Sequence, residues 1–370
     1  MREIKAHTGL RGIAAFTVFL GHAEFDHLWH GAFWLSGVYS FFYWQSPAVD
    51  LFFMLSGFIL NYVYLKQKAL KWPAYFNARF ARICPLYYAG LLAVVGMNFI
   101  SAHLVHKAPK DMNLSVLLPN LAMVQEWPVP HVVTSINVPS WSISVEVFLY
   151  IFAFPLFAFL IARRRLPAGL SMGIIVVSLL LNALVSRDLP HPLNIEYWGL
   201  AWGVTGFCVG FVICELVYTR TEPLLSDPGE LVLAAVVVGL LPFHALHIFL
   251  PVAFAGLIAV TYPAASRLGR ILGSRFLFYL GGLSYSIYIW HAPVIEACTL
   301  AFGMRHIGDK SMDFQVSAGH KLLYCVGTTI ALMAVANISY YLFETPLRKM
   351  LRGPTRNRLP VAPLSRPARP

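Results

Sequence analysis

Ten uninterrupted apolar stretches constrain this chain more than any other feature. They fall at roughly 8–28, 47–65, 84–104, 140–162, 168–186, 196–218, 229–244, 247–265, 277–300 and 319–343, each bounded by charged residues or prolines. One helical bilayer crossing needs about 20 mainly apolar residues, so the expected fold is an all-α integral membrane protein of about ten transmembrane helices. Only 12% of the residues are charged while 58% are hydrophobic, and mean hydropathy is +0.65. A soluble domain carries about twice that share of charge. A cytosolic enzyme, a secreted domain and a disordered module are therefore poor descriptions of the chain.

The net charge of +11 does not indicate nucleic acid, because its placement has a simpler cause. With the N-terminus inside, 22 of the 28 Lys and Arg residues fall in inner segments or the C-terminal tail, and six (Lys107, Lys110, Arg187, Arg305, Lys310 and Lys321) fall outside. Positive residues accumulate on the cytoplasmic side, so both termini are expected to be cytoplasmic. Residues 1–352 form the expected membrane domain. Residues 353–370, rich in Pro and Arg, read as a disordered basic tail. Five scattered cysteines give neither a disulfide framework nor a metal site. The long outer loop, about 105–139, holds a short apolar piece, Leu117 to Val124, that the sequence does not place.

Ionisable residues inside spans are costly and mark function by default. At 1.5 Å of rise per residue, His22, Asp50, Glu146 and His291 are expected at one depth in the outer part of the bilayer. A neutral histidine whose second ring nitrogen is held by an acceptor can act as a general base, and Asp50 or Glu146 is the expected holder of His22. Arg11 lies eleven residues before His22, close to three helical turns, so the two share a face about 16 Å apart. Arg79 and Arg82 are adjacent on one helical face at an inner mouth. Such a cluster suits phosphate groups, or equally anionic lipid heads. Phosphate binding on the inner side and a base on the outer side together imply a long donor threaded between them, such as an acyl-coenzyme A. Trp141, Ser142, Tyr285 and Tyr288 lie within reach by depth as donors to a tetrahedral oxyanion, although the aromatic run from Tyr285 to Trp290 also suits an interfacial belt. Glu344 is expected to pair with an arginine, and Pro346 to end the last helix.

The segments TGLRGIAAFTVFLGH (Thr8 to His22), AVDLFFMLSGFIL (Ala48 to Leu60), RFARICPLYY (Arg79 to Tyr88), PSWSISVEVFLYIFAFPLF (Pro139 to Phe157), LGGLSYSIYIWHAPV (Leu280 to Val294) and FETPLRKML (Phe343 to Leu351) resemble, in order, the recurring motifs of the acyltransferase-3 family. The resemblance runs from residue 8 to about 351. It implies ten transmembrane helices in a bacterial cytoplasmic (inner) membrane, and O-acyl transfer from cytoplasmic acyl-CoA, usually acetyl-CoA, to a hydroxyl of an extracytoplasmic carbohydrate or lipid-linked glycan, as in a glycan-assembly pathway. It puts the catalytic centre on His22 with Arg11 below it, donor handling on Arg79 and Arg82, and an essential acid on Glu146. Ala48 departs from the Gly of many relatives, and Val147 from a second Glu; neither changes this chemistry. Some relatives carry a C-terminal esterase-like domain that is not expected here. Direct transfer is expected over an acyl-enzyme on Ser56, Ser142 or His22, because no serine stands in a nucleophile motif. The competing class is a proton-coupled transporter or flippase, which would use the same buried groups without an acyl donor.

Overall fold

The computed structural model describes residues 4–23, 46–104, 112–127, 135–163, 167–188, 192–241, 243–263, 266–302 and 318–352, and every regular element among them is helical. In chain order these are α1 (Lys5–His22), α2 (Ser46–Leu60), α3 (Trp72–Leu104), α4 (Leu114–Ala122), α5 (Trp141–Phe148), α6 (Phe154–Arg163), α7 (Ala168–Asp188), α8 (Pro192–Val217), α9 (Asp227–Leu240), α10 (Leu250–Thr261), α11 (Arg267–Leu272), α12 (Arg275–Ala301), α13 (Ala318–Ile338) and α14 (Thr345–Arg352). The basic tail 353–370 and parts 105–111 and 128–134 of the expected outer loop lie outside the described residues.

Among the described residues, five helical segments are long and apolar enough to cross a membrane: Pro47–Lys66, Trp72–His103, Val138–Leu160, Gly199–Val217 and Leu322–Leu351. Two further long helices, α1 and α12, have their apolar character diluted. Lys5, His7, Arg11 and His22 do this on α1, and the serines, tyrosines, Trp290 and His291 do it on α12. Helix surfaces turned away from the bundle carry large apolar side chains, including Leu92, Phe99, Leu180, Val232, Ile330 and Leu342, all at least 60% exposed. Such an outer surface fits lipid rather than water.

Backbone approach through glycine organises the bundle. α1 packs most extensively on α12, and a Cβ on Gly12 would stand 2.5 Å from the Gly281 nitrogen, while one on Gly281 would stand 1.9 Å from the Thr8 carbonyl oxygen. α2 meets α8 in the same way: a Cβ on Gly210 would lie 1.8 Å from the Met54 oxygen, and one on Gly57 2.1 Å from the Phe207 oxygen. Lipid tails are as apolar as leucine, so helices associate in a bilayer chiefly where small residues let backbones touch. Ala15 and Phe19 of α1 then interlock with Leu283 and Ile287 of α12 and Leu332 and Ala336 of α13.

Among the described residues three helices widen into π turns, and two of these precede a proline. Pro155 cannot donate to the preceding turn, and α5 passes into α6 through a π turn at Leu149–Ala153. Pro346 follows the π turn Ser339–Glu344 and opens α14. The expectation that Pro346 ends the last helix is thus not met, since the widened turn absorbs the missing N–H and the helix continues to Arg352. Glu344 does pair as expected, with Arg348 at 3.6 Å, and it also accepts from the Ser286 hydroxyl at 2.8 Å.

The apolar piece of the 105–139 loop becomes α4. The Asn113 side chain caps its start and Met123, at φ 58°, closes its end. Tyr87 and Tyr88 of α3 donate to the Asn120 and Leu121 carbonyls at 2.6 and 2.8 Å. The turn after it is tied to α5, where Ser144 accepts from the Glu126 N–H and from the Trp127 indole.

The glycine contacts predict a selective response to added methyl groups. Gly12→Ala should lower the thermal midpoint in nanodiscs, at a cost of about 1–3 kcal/mol for overpacking. Gly96→Ala, where no described residue lies within 4 Å of the added atom, should leave it unchanged or raise it. Equal midpoints for the two variants would contradict the contact.

Candidate active site

α1 and α12 run side by side in the same direction, with Gly12 level with Gly281 and His22 level with His291. This register arranges two sets of polar groups along one path, arginines at the beginning of the helices and imidazoles further along.

The first set lines a cavity of about 700 Å³, its mouth included, between α1, α2, α3, α5 and α12. Arg11, Arg79, Arg82 and Glu146 all contribute to its wall, so three guanidinium groups and one carboxylate share the cavity. α3 supplies two of them because it is a single helix of 33 residues, about 50 Å long, that runs straight through the expected inner mouth. Pro85 lies inside α3, and the Tyr285 hydroxyl donates to the nearby Ile83 carbonyl at 2.7 Å. Arg79 is clamped between the Tyr64 and Tyr150 rings, at 5.5 and 5.6 Å from their centroids. The Tyr150 hydroxyl donates to Glu146, and the Tyr150 carbonyl accepts from Tyr75 at 3.0 Å. One side chain on a π turn therefore holds both an arginine and the carboxylate.

At the other end of the cavity Ser142 and Tyr288 meet, with their hydroxyl oxygens 2.7 Å apart. Ser142 also donates to the Pro139 carbonyl at 3.2 Å, and in that arrangement Tyr288 donates to Ser142. If Ser142 turns its hydrogen to Tyr288 instead, the phenol hydrogen is released toward the cavity.

Beyond Tyr288 the rings continue. Its centroid lies 5.7 Å from that of His291, and His291 lies 4.9 Å from His22. His291 is fully buried. His22 Nδ1 lies 3.0 Å from the Val18 carbonyl. A carbonyl cannot donate, so Nδ1 carries the hydrogen and Nε2 keeps its lone pair. The acceptor that orients His22 is thus a backbone oxygen one turn back on its own helix, not the expected carboxylate of Asp50 or Glu146.

Of the eleven residues singled out from sequence, Arg11, Arg79, Arg82, Ser142, Glu146, Tyr285 and Tyr288 line the cavity. His22 and His291 stand beyond it as a pair. Asp50 is buried with its carboxylate turned to α8, where a Cβ on Gly206 would stand 2.7 Å from its Oδ1. Trp141 stacks on Trp202 at 5.8 Å and 16°, with the Phe53 edge against both, so it packs α5 on α8 instead of facing the cavity. The four groups expected in one layer are therefore divided, with Glu146 among the arginines and the histidines one ring beyond. Sequence reasoning missed Tyr150, although its i,i+4 spacing from Glu146 places the two on one face.

A family model described as an acyltransferase domain matches residues 5–337. Among curated proteins, the chain is 27% identical to the acyltransferase MdmB of Streptomyces mycarofaciens, over 98% of this chain and 95% of that protein. It is 24% identical to the putative peptidoglycan O-acetyltransferase YrhL of Bacillus subtilis and to the peptidoglycan O-acetyltransferase OatA of Listeria monocytogenes, over 94% and 92% of this chain. It spans 55% of the length of each of those two relatives. No solved structure matches. With the match extending over nearly all of the helical bundle that carries the cavity, the chain belongs to the acyltransferase-3 family.

Proposed function

We propose that this protein is a membrane O-acyltransferase of the bacterial cytoplasmic membrane, with ten spans and both termini cytoplasmic. In this reading it moves an acyl group, acetyl in the first instance, from cytoplasmic acyl-CoA to a hydroxyl of a carbohydrate or lipid-linked glycan on the far side. The observation that carries this reading is the convergence of Arg11, Arg79 and Arg82 at one end of a cavity whose other end closes on Ser142 and Tyr288, next to the histidine pair. Guanidinium groups match phosphate oxygens, and the path from Arg11 to His22 is about 16 Å along α1, so the donor's phosphates and its thioester are served by different ends.

In the transfer step the acceptor hydroxyl gives its proton to His22 Nε2 as its oxygen forms a bond to the thioester carbonyl carbon. The developing oxyanion accepts a hydrogen bond from the Tyr288 hydroxyl, which Ser142 frees by donating to the phenol oxygen. Collapse breaks the carbon–sulfur bond, and the coenzyme A thiolate leaves with the proton returned by His22, so one acyl group moves and no net proton is gained or lost. Glu146 balances the arginine charges when the donor is absent, and Tyr150 keeps Glu146 and Arg79 in register. The same buried histidines would suit a proton-coupled transporter, but membership of an acyltransferase family favours transfer.

Two predictions follow from this division of roles. Arg79→Ala/Arg82→Ala should abolish acetyl-CoA binding measured by calorimetry in nanodiscs. His22→Ala should retain that binding while turnover falls about 10²- to 10⁴-fold, the usual range for a general base. Binding lost equally in both would contradict separate ends. At Tyr150, Phe keeps the ring over Arg79 and should hold the acetyl-CoA Kd near wild type. Leu removes the cation–π contact and should weaken it about tenfold; matching Kd values for Phe and Leu would exclude the clamp.

A further inference from the structure

A second cavity, of about 410 Å³ with its mouth, opens between α3, the segment just before α5, and the far part of α12. Asn98 lines it sixteen residues after Arg82 on α3, about 24 Å along the helix, so it belongs to the end of the bundle opposite the arginines. Glu296 and Asn137 supply its other polar groups.

Asn137 is fixed by a proline. Pro293 has no N–H to give the Ile289 carbonyl one turn back, and Asn137 Nδ2 donates to that carbonyl at 3.2 Å in its place. This bond decides which way the carboxamide faces: the nitrogen is committed to α12, and Oδ1 is left as an acceptor. Asn137 is only 2% exposed, and Oδ1 has no hydrogen-bond partner among the described residues. A buried acceptor left unpaired is costly, and a hydroxyl-bearing ligand in the cavity would satisfy it. Among the described residues the lining contains no Lys or Arg, with Val94, Ile136 and Pro293 as an apolar floor.

We infer that this cavity is an accessory subsite for a neutral, polyhydroxylated ring of the acceptor. The inference rests on the acyl-transfer reading for what the ring belongs to. α12 presents Pro293 and Glu296 to this cavity and His291 to α1, so the bound ring is a neighbour of the one acylated. Oδ1 of Asn137 accepts from one of its hydroxyls, and the described lining offers an anionic sugar no Lys or Arg as counter-ion. A residue acting this far from the base changes acceptor binding without touching the donor.

The test is saturation-transfer NMR on the protein in nanodiscs, with methyl β-glucoside and methyl β-glucuronide as probes and acetyl-CoA binding measured in parallel. Wild type should bind the glucoside and reject the glucuronide. Asn137→Ala should weaken glucoside binding about tenfold. Ala292→Phe, which fills the cavity without removing a polar group, should abolish it, and both variants should bind acetyl-CoA as wild type does. Glucoside binding that survives Ala292→Phe, a preference for the glucuronide, or no glucoside binding by wild type overturns the subsite. Loss of acetyl-CoA binding in wild type with the glucoside results intact would instead overturn the donor reading alone.

Discussion

The contact of α1 with α12 sets the geometry on which the rest of the site depends. Gly12 and Gly281 bring two backbones to a separation that admits no Cβ, and in lipid such approach is a main source of helix association. Because the helices are parallel and locked in register, Arg11 stands at the level of Leu280 and His22 at that of His291. A larger side chain at the glycine level would part the helices, and with them the cavity wall and the histidine pair.

The second determinant is the use of prolines to free backbone groups where side chains need them. Pro155 accompanies the π turn that carries Tyr150, and Pro346 follows the one that carries Glu344. Pro293 releases the Ile289 carbonyl that fixes Asn137. Helix interruptions of this kind are tolerated in membranes when neighbouring side chains satisfy the freed groups, and π turns recur at functional sites. Here each of them borders a polar cluster.

Much of this was legible in the sequence, and the residues show why some was not. Residue count fixes rise along a helix, so Arg11 below His22, and the Arg79 and Arg82 pair, follow from spacing alone. Count does not fix rotation about the axis relative to neighbours, which packing decides. Asp50 was therefore expected beside His22 and is turned to Gly206 of α8, while Trp141 was expected near the reacting atoms and stacks on Trp202. Residue count also does not fix depth across different helices, and Glu146 lines the cavity with the arginines, held by Tyr150. The piece that became α4 was too short to read as a span, and its position depends on tyrosines of α3 that no local pattern pairs with it. The orienting partner of His22 is a backbone carbonyl, a group that sequence patterns of acidic residues do not reveal.

In the proposed mechanism one path joins a phosphate-binding end to a proton-accepting end, and a cryo-EM map of the protein in nanodiscs with a non-hydrolysable acetyl-CoA analogue would locate both. The analogue's phosphates should lie against Arg11, Arg79 and Arg82, and its acyl carbonyl beside Ser142 and Tyr288 on the His22 side. Phosphates held elsewhere, or an acyl group that ends among the arginines, would contradict it.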